Sequence, residues 1–418
     1  MAEYALAAIP IRAGRSLPPD EWREIRQRAI FEYCKWDVQC EDHSVLGTFP
    51  LIIEAGTARF LSEKAEALTR EALSAEKEIL NNPNLLGRLA LPRGIRQIFE
   101  RAETSNLFPR ELRLMRFDFH FTTNGWRISE VNADVPGGFI EASGWNFLFA
   151  DKWRGATAPP NTSDLYAHAI RDVAGQGALA ALVHATAYSD DRQVMMHLAQ
   201  QFAAHGIRAC LCSPSHVHWH EGRAKLRASF ASGNPDIIVR FFPAEWLPNL
   251  SREDAWRPYF QSNQTPLSNP GTAILLQTKR FPLVWDKLWA HLSTWRELLP
   301  ETRDFSECGT LASDAWVLKP ALGRVGEGVG IWGITPVREL KELIRQARRQ
   351  PQHWIAQKRF EILPIVTEEG PQYPCIGVFT IGGNAAGFYG RTAASPIINR
   401  DARDVAVLIS GEPSKREN

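Results

Sequence analysis

Between Arg116 and Asn132, polar and apolar residues alternate. Phe117, Phe119 and Phe121 interleave with Arg116, Asp118 and His120, which predicts a strand with one apolar and one polar face. Asn124-Gly125 is a hairpin signal, and Trp126 to Asn132 then runs back as the second strand. On that strand Glu130 and Asn132 share a face and Ser129 takes the opposite one, because successive side chains alternate across the pleat. Closure at Asn124-Gly125 brings Asp118 within reach of Glu130.

The remaining pattern is a mixture of helical periods and short apolar runs. Residues 19–40 and 56–81 show helical spacing, and the second is rich in Ala, Leu and Glu. Residues 156–163, with their Pro, Asn and Thr, read as a loop. Ala178 to His184 is a buried-strand candidate. A helix from about 190 to 204, Gly206 and a strand from Ile207 to Cys212 then complete a βαβ-like unit. Pro235 to Phe242 is a third strand, so this region reads as three layers around a parallel sheet. From about 270 onward come a Trp-rich helix, a glycine-rich flap, an amphipathic helix from Pro336 to Arg349, and closing strands. The fold class is α/β (α+β), and the chain divides at 1–165, 166–270 and 271–418.

Composition narrows the classes. The chain has 418 residues, 44% hydrophobic and 23% charged, as in ordinary globular enzymes of two or three domains. A net charge of +1 signals neither a nucleic-acid nor an acidic-membrane partner. No apolar run is long enough for a membrane span, and the first residues lack a basic stretch ahead of their short apolar run, so a cytoplasmic location is expected. Cys34, Cys40, Cys210, Cys212, Cys308 and Cys375 follow no disulfide framework, which predicts reduced thiols.

Two stretches carry candidate chemistry. Asp118, Glu130 and Asn132 put three oxygen-bearing side chains on one surface beside Arg116, which suits a hard divalent cation and a phosphate. The alternative is the solvated face of an edge hairpin. The second stretch is Trp316 to Trp332, where a short apolar strand ends in Lys319-Pro320 and a loop follows with Gly323, Gly326, Gly328 and Gly330. Glycines let backbone N–H groups approach phosphates, and Lys319 and Arg324 add positive charge. No Gly-Lys-Ser/Thr follows, so it is not a Walker loop, and strand-to-strand connectivity excludes a Rossmann fingerprint. A strand, glycine flap and strand with a preceding Lys is the pattern of an ATP-grasp nucleotide clamp, or of a plain glycine-rich hairpin. A third set, Cys210, Cys212, His216, His218 and His220, falls within eleven residues and offers zinc-ligand types without Cys-x-x-Cys spacing; such sets more often decorate a strand end and loop.

Taken together, the blocks resemble the synthetase domain of the glutathionylspermidine synthase family, an ATP-grasp carboxylate–amine ligase. Arg116-x-Asp118 is followed by Glu130-x-Asn132, with the Glu twelve positions after the Asp, and then by Asp134-Val135-Pro136-Gly137. In family order come Gln277-Thr278-Lys279 ahead of Phe281-Pro282, Lys319-Pro320 with Gly323-Arg324 and Gly326, Gln357 ahead of Leu363-Pro364, and Gly387 to Arg391. The resemblance implies an ATP-grasp fold with a Rossmann-like pre-ATP-grasp region at 166–270 and the nucleotide clamp at 271–418. It implies Mg²⁺ held by Asp118, Glu130 and Asn132, and ATP bound by Lys279, Lys319, Gly323, Gly326 and Gln357. Arg116, Arg324 and Arg391 would be the catalytic cations around the transferred phosphoryl group. Asp190 and Asp191 fall where the family places acidic residues facing the amine; they also read as a helix cap and first-turn acid.

Two departures shape the expected activity. The family's bifunctional members carry an N-terminal Cys/His amidase domain, and no room precedes the synthetase signals here, so ligase chemistry alone is expected. The known synthetase holds glutathione partly with hydroxyl side chains just after Glu-x-Asn, whereas this chain has Val135-Pro136-Gly137-Gly138. Three functions stay open: a ligase joining an acid (glutathione or another peptide or amino acid) to an amine (a polyamine or another), the same ligase with a different substrate, and a non-catalytic ATP-binding relative. The oligomeric state is not readable from these patterns.

Overall fold

The computed structural model describes residues 9–41, 43–101, 111–228, 231–251, 253–261, 263–307, 315–324 and 326–411. The alternating stretch forms the predicted hairpin, Leu114–Thr122 and Gly125–Asn132, with Thr122 opposite Gly125 and Asp118 opposite Glu130. It does not stand at a free edge. Leu114–Thr122 pairs antiparallel with Gly370–Ile381, which pairs in turn with Asn384–Ala393, and that with Arg403–Val405. Ile365–Thr367 completes a six-stranded antiparallel sheet. The hairpin near the start of the chain and the strands near its end therefore share one sheet.

The apolar face of this sheet packs on a long helix, Ala55–Asn81. Its buried residues Ala58, Leu61, Ala65, Leu68, Ala72, Ala75 and Ile79 recur every three or four positions and form one stripe. Burying each of the larger aliphatics contributes roughly 1.5–3 kcal/mol. Phe117 and Phe119 are fully buried on that side. Trp295 seals the layer edge-on to Phe117 at 6.0 Å, and its indole N–H donates to the Leu68 carbonyl at 2.9 Å. The Phe face thus leaves the polar face of the hairpin free to line a cavity.

The middle of the chain forms a five-stranded parallel sheet in the order Arg208–Cys212, Leu179–Val183, Ile237–Arg240, Leu267–Ser268, Glu111–Leu112. Helices Thr162–Ala174 and Ser189–Ala204 cover one face, with Tyr166, Ile170, Leu198 and Phe202 against Ala180, Leu182, Ile237 and Val239. Ala181, Val183, Cys212 and Ile238 face the other side, into the main core. The expected parallel sheet is present, and it also takes Glu111–Leu112, from outside 166–270, as an edge strand.

A four-stranded antiparallel sheet, Thr302–Asp304, Trp354–Lys358, Trp316–Pro320 and Gly330–Ile331, carries the glycine flap between its last two strands. Helix Val337–Arg349 seats Leu340, Leu343 and Ala347 on it. A fourth sheet joins Ile11–Ala13, Leu51–Glu54, Val407–Ser410 and Ala156–Thr157.

Local differences from the sequence pattern have simple causes. The first helix is Pro19–Tyr33, ended by Cys34 in the left-handed region at φ 61°, rather than reaching residue 40. The stretch at 156–163 holds a short strand, and the Asn161 side chain caps a helix that already starts at Thr162. The Trp-rich segment is a tight turn, Phe281–Lys287, with Pro282 at its start, followed by a short helix, Ser293–Leu298. The five described cysteines are free thiols, and Cys308 lies outside the described residues. No helix among the described residues is long and apolar enough to cross a membrane.

Candidate functional site

The polar face of the hairpin, the flap end of the four-stranded sheet and the start of helix Ser189–Ala204 enclose a cavity of about 960 Å³. All thirteen residues that the family resemblance assigns to the site line it: Arg116, Asp118, Glu130, Asn132, Asp190, Asp191, Lys279, Lys319, Gly323, Arg324, Gly326, Gln357 and Arg391. They come from six separate stretches of chain, so their convergence is a property of the fold alone.

Asp118 is the pivot of the hairpin end. The Arg116 guanidinium grips it in a fork, Nε to Oδ1 at 2.7 Å and Nη2 to Oδ2 at 3.0 Å, and Asn132 Nδ2 donates to Oδ2 at 3.0 Å. Arg116 Nη1 also donates to the Gly137 carbonyl at 2.6 Å, and its guanidinium lies 4.8 Å above the Tyr389 ring. Gly377 on the adjacent strand makes this possible: a Cβ there would stand 2.8 Å from Arg116 Cδ.

Glu130 sits between two lysines. Lys279 Nζ is 3.0 Å from its Oε2 and also donates to the Gly323 carbonyl at 2.7 Å. Lys319 donates to Gln357 Oε1 at 2.7 Å and to the Ser129 carbonyl at 3.1 Å. Burial works against the Glu130 charge, yet Lys279 and Lys319 bring its pKa down to about 2. Burial lowers Lys319 to about 8; Glu130 resists that and Lys279 assists it. The chemistry of the donor set suits a hard cation: two carboxylates and an amide line the same cavity, with Arg116 and the Asn132 amide nitrogen now on Asp118 and Lys279 beside Glu130.

The other arginines point at different partners. Arg324, on the flap, places Nη2 2.6 Å and Nε 3.1 Å from Glu245 Oε1, and its guanidinium lies 5.7 Å from the Trp246 ring. Arg391 donates from Nη2 to the Asn399 carbonyl at 2.8 Å, with Asp404 Oδ1 3.6 Å from its Nε. Asp190 and Asp191 occupy the first turn of helix Ser189–Ala204, whose N-cap residue is Tyr188 rather than either acid, and both line the cavity. Burial raises Asp191 to about 6.

A family model, glutathionylspermidine synthase preATP-grasp, matches residues 17–410. The chain belongs to that family. A search of curated proteins gives no match. Among solved structures, a glutathione synthetase-like effector from Globodera pallida in its apo form superposes with a TM-score of 0.62 at 12% identity, covering 94% of this chain and 98% of that one. A putative gamma-glutamylcysteine synthetase from Methylobacillus flagellatus aligns with a TM-score of 0.41 at 13% identity, over 80% and 85% of the two chains. The fold is therefore ATP-grasp-like, of the glutathione synthetase kind, and family membership assigns the chain to synthetase-type ligases.

Several residues of this glutathionylspermidine synthase-family cavity were not anticipated. Ser129 is one, and its expected position is corrected. The ladder pairs Asp118 with Glu130 but Phe119 with Ile128, so Ser129 is an extra, bulged residue. The bulge turns it to the cavity side, where its hydroxyl meets His120 Nε2 at 3.1 Å. Lys35, Glu141, Asp404 and Tyr389 form a buried network at the far end: Lys35 Nζ bonds Glu141 and lies 3.0 Å from Asp404, which accepts from the Tyr389 hydroxyl at 2.7 Å. Burial lifts Glu141 to about 7, opposed by Lys35 and reinforced by Asp404 and Asp37. Only Tyr389 carried a signal, its place beside Gly390-Arg391.

The Cys/His set is not gathered into a site. Cys212 is buried in the parallel sheet, while His218 and His220 lie on an exposed strand opposite Lys225 and Arg223. Those cross-strand cations disfavour a bound metal. Among the described residues the ligand-type group that does converge is Asp164, His168 and His205.

Proposed function

We propose that the protein is an ATP-dependent carboxylate–amine ligase that activates its acid as an acyl phosphate. The observation that carries this reading is the Lys279–Glu130–Lys319 arrangement beside the Arg116–Asp118–Asn132 cluster in one cavity. The two lysines face the place where polyphosphate charge would lie. Val317, Val329, Ile331 and Leu363 supply apolar walls near Gln357 that suit a planar base. Asp118, Glu130 and Asn132 would hold Mg²⁺, which would neutralise phosphate oxygens when bound.

The acid's carboxylate oxygen attacks the γ-phosphorus of ATP and ADP leaves. The amine nitrogen then attacks the acyl carbon, phosphate leaves, and the amide remains after a proton is lost. No protein nucleophile is required; positioning and cationic stabilisation do the work. Lys279 and Lys319 would hold the phosphates, and Arg116 and Arg391 the acyl end. Arg324, carried on the flap between Gly323 and Gly326, would close over the reacting group and keep water from the acyl phosphate. Asp190 and Asp191 would face a cationic amine. In functional terms, residues 1–165 supply the metal face, 166–270 the pre-ATP-grasp layer and 271–418 the clamp, with the cytosol as the expected compartment.

Gly138 favours an acid other than glutathione. It adopts φ +95°, and an added Cβ would meet the Tyr389 ring at 3.1 Å, so a hydroxyl side chain at that position of the turn is strained and crowded. The test is ADP release by the purified protein with Mg-ATP against panels of acids and amines, beside Asp118→Ala and Glu130→Ala. Stimulation by one acid–amine pair, lost in both variants, supports the ligase. ADP release independent of any amine points instead to a kinase or an idling ATPase, and absence of ATP binding by calorimetry refutes the reading.

A further inference from the structure

A second cavity, of about 530 Å³, opens at the C-terminal edge of the parallel sheet. Its walls are the segments that follow three neighbouring strands: residues 184–188 after Leu179–Val183, 213–215 after Arg208–Cys212, and residues between 242 and 254 after Ile237–Arg240. The first connection leads to helix Ser189–Ala204 on one face of the sheet. The third turns the other way, burying Ala244 and Leu247 in the core beneath the opposite face. Adjacent parallel strands whose connections part in this way open a crevice suited to a ligand.

His184 lines this crevice at the strand end and is 1% exposed. Its Nδ1 lies 3.1 Å from the Leu182 carbonyl and so carries the proton. Its Nε2 is buried and has no hydrogen-bond partner among the described residues. Burial pushes the ring's pKa down, so at neutral pH Nε2 is an acceptor waiting for a donor. Such orphaned buried acceptors are rare in folded proteins. Beside it, Tyr188 and Trp246 expose 58% and 38% of their surface. Their ring centroids are 6.1 Å apart at 34°, too close to admit a ring between them, but together they offer a broad apolar face. Among the described lining residues Asp254 is the one formal charge, and it would repel an anion.

We propose that this crevice binds a small uncharged aromatic molecule, which donates an N–H or O–H to His184 Nε2 and lays its ring against Tyr188 and Trp246. The site is separate from the nucleotide cavity, although Trp246 borders both, and it does not depend on the ligase reading.

The test is saturation-transfer NMR on the full chain with phenol and indole, compared with toluene, which has the shape without the donor. Histidine labelled with ¹⁵N reports the ring nitrogens in the same samples. Phenol and indole are expected to bind equally with and without added ATP, to move the His184 Nε2 resonance, and to lose about tenfold in affinity in His184→Phe, the loss expected for one hydrogen bond. Tyr188→Ala, at an exposed position, should weaken all three aromatics and serves if the His184 variant does not fold. Equal binding of toluene and phenol, an unmoved Nε2 resonance, or no binding at millimolar concentration, as when a water alone satisfies the ring, would overturn the proposal.

Discussion

Replacing Glu130 by Gln removes one negative charge from between two buried ammonium groups and leaves shape almost unchanged. In the folded protein Glu130 is held at a pKa of about 2, against an ordinary value of 4.5. At ~1.4 kcal/mol per pH unit, the lysines favour the charged carboxylate by about 3 kcal/mol at neutral pH. Breaking a buried pair from one side costs about 3–5 kcal/mol, and the 23% exposure of the Glu130 side chain places the expected loss at the lower end. Because the folded pKa is depressed, this stabilisation is full above pH 4.5 and disappears as pH falls from 4.5 towards 2. Glu130→Gln should therefore unfold at lower urea than the parent by about 3 kcal/mol at pH 7, and the gap should close on acidification. The same change frees Lys279 and Lys319 for phosphate. Metal-free ATP should then bind the variant at least as tightly as the parent, while added Mg²⁺ should no longer enhance binding. Calorimetric titrations with and without Mg²⁺, beside urea melts at pH 7 and pH 3, measure both effects. Equal stability at pH 7 together with an unchanged Mg²⁺ enhancement would refute the argument that Glu130 is both the counter-ion of the lysines and a metal ligand.

Lys319, lowered to about 8 by burial, loses its proton in the free protein as pH rises through 8, so ATP affinity should fall between pH 7 and 9; Lys319→Met should abolish that dependence in the same titration. Trp295→Ala removes a fully buried indole that meets Phe117, Phe281 and Trp285 edge-on. It should cost about 3–5 kcal/mol in denaturant unfolding. Gly138→Ser forces a side chain into the left-handed region and against the Tyr389 ring, displacing the platform under Arg116. A stability loss of about 1–3 kcal/mol and a larger fall in ADP release are expected, read from melts and a coupled assay.

The legible parts of the site were those whose chemistry is written locally. The hairpin could be read because a period of two and an Asn-Gly turn fix register within a few residues, and register carried Asp118 to Glu130. The flap could be read as a strand–loop–strand because two short apolar runs bracket four glycines after Lys319, although the same pattern also fits a plain glycine-rich hairpin. Ser129 was misplaced because the bulge that turns it inward is set by pairing across the sheet, and alternation assumes no bulge. Lys35 and Glu141 gave no signal at all. A buried Lys is stable only with its carboxylates in place, and two of its three, Glu141 and Asp404, lie 106 and 369 positions away, with only Asp37 nearby in sequence.

The sequence by itself determined the kinds of element, their order, and which residues carry charge suited to phosphate and metal. These follow from backbone sterics and side-chain periodicity, which act over a few residues. Tertiary structure alone decided that the hairpin adds to strands from the far end of the chain, that Arg324 meets Glu245, and that Lys279 and Lys319 flank one carboxylate. Those contacts depend on how apolar faces close around a common core. Burial is an outcome of the whole packing, and burial is what turns scattered charges into a site.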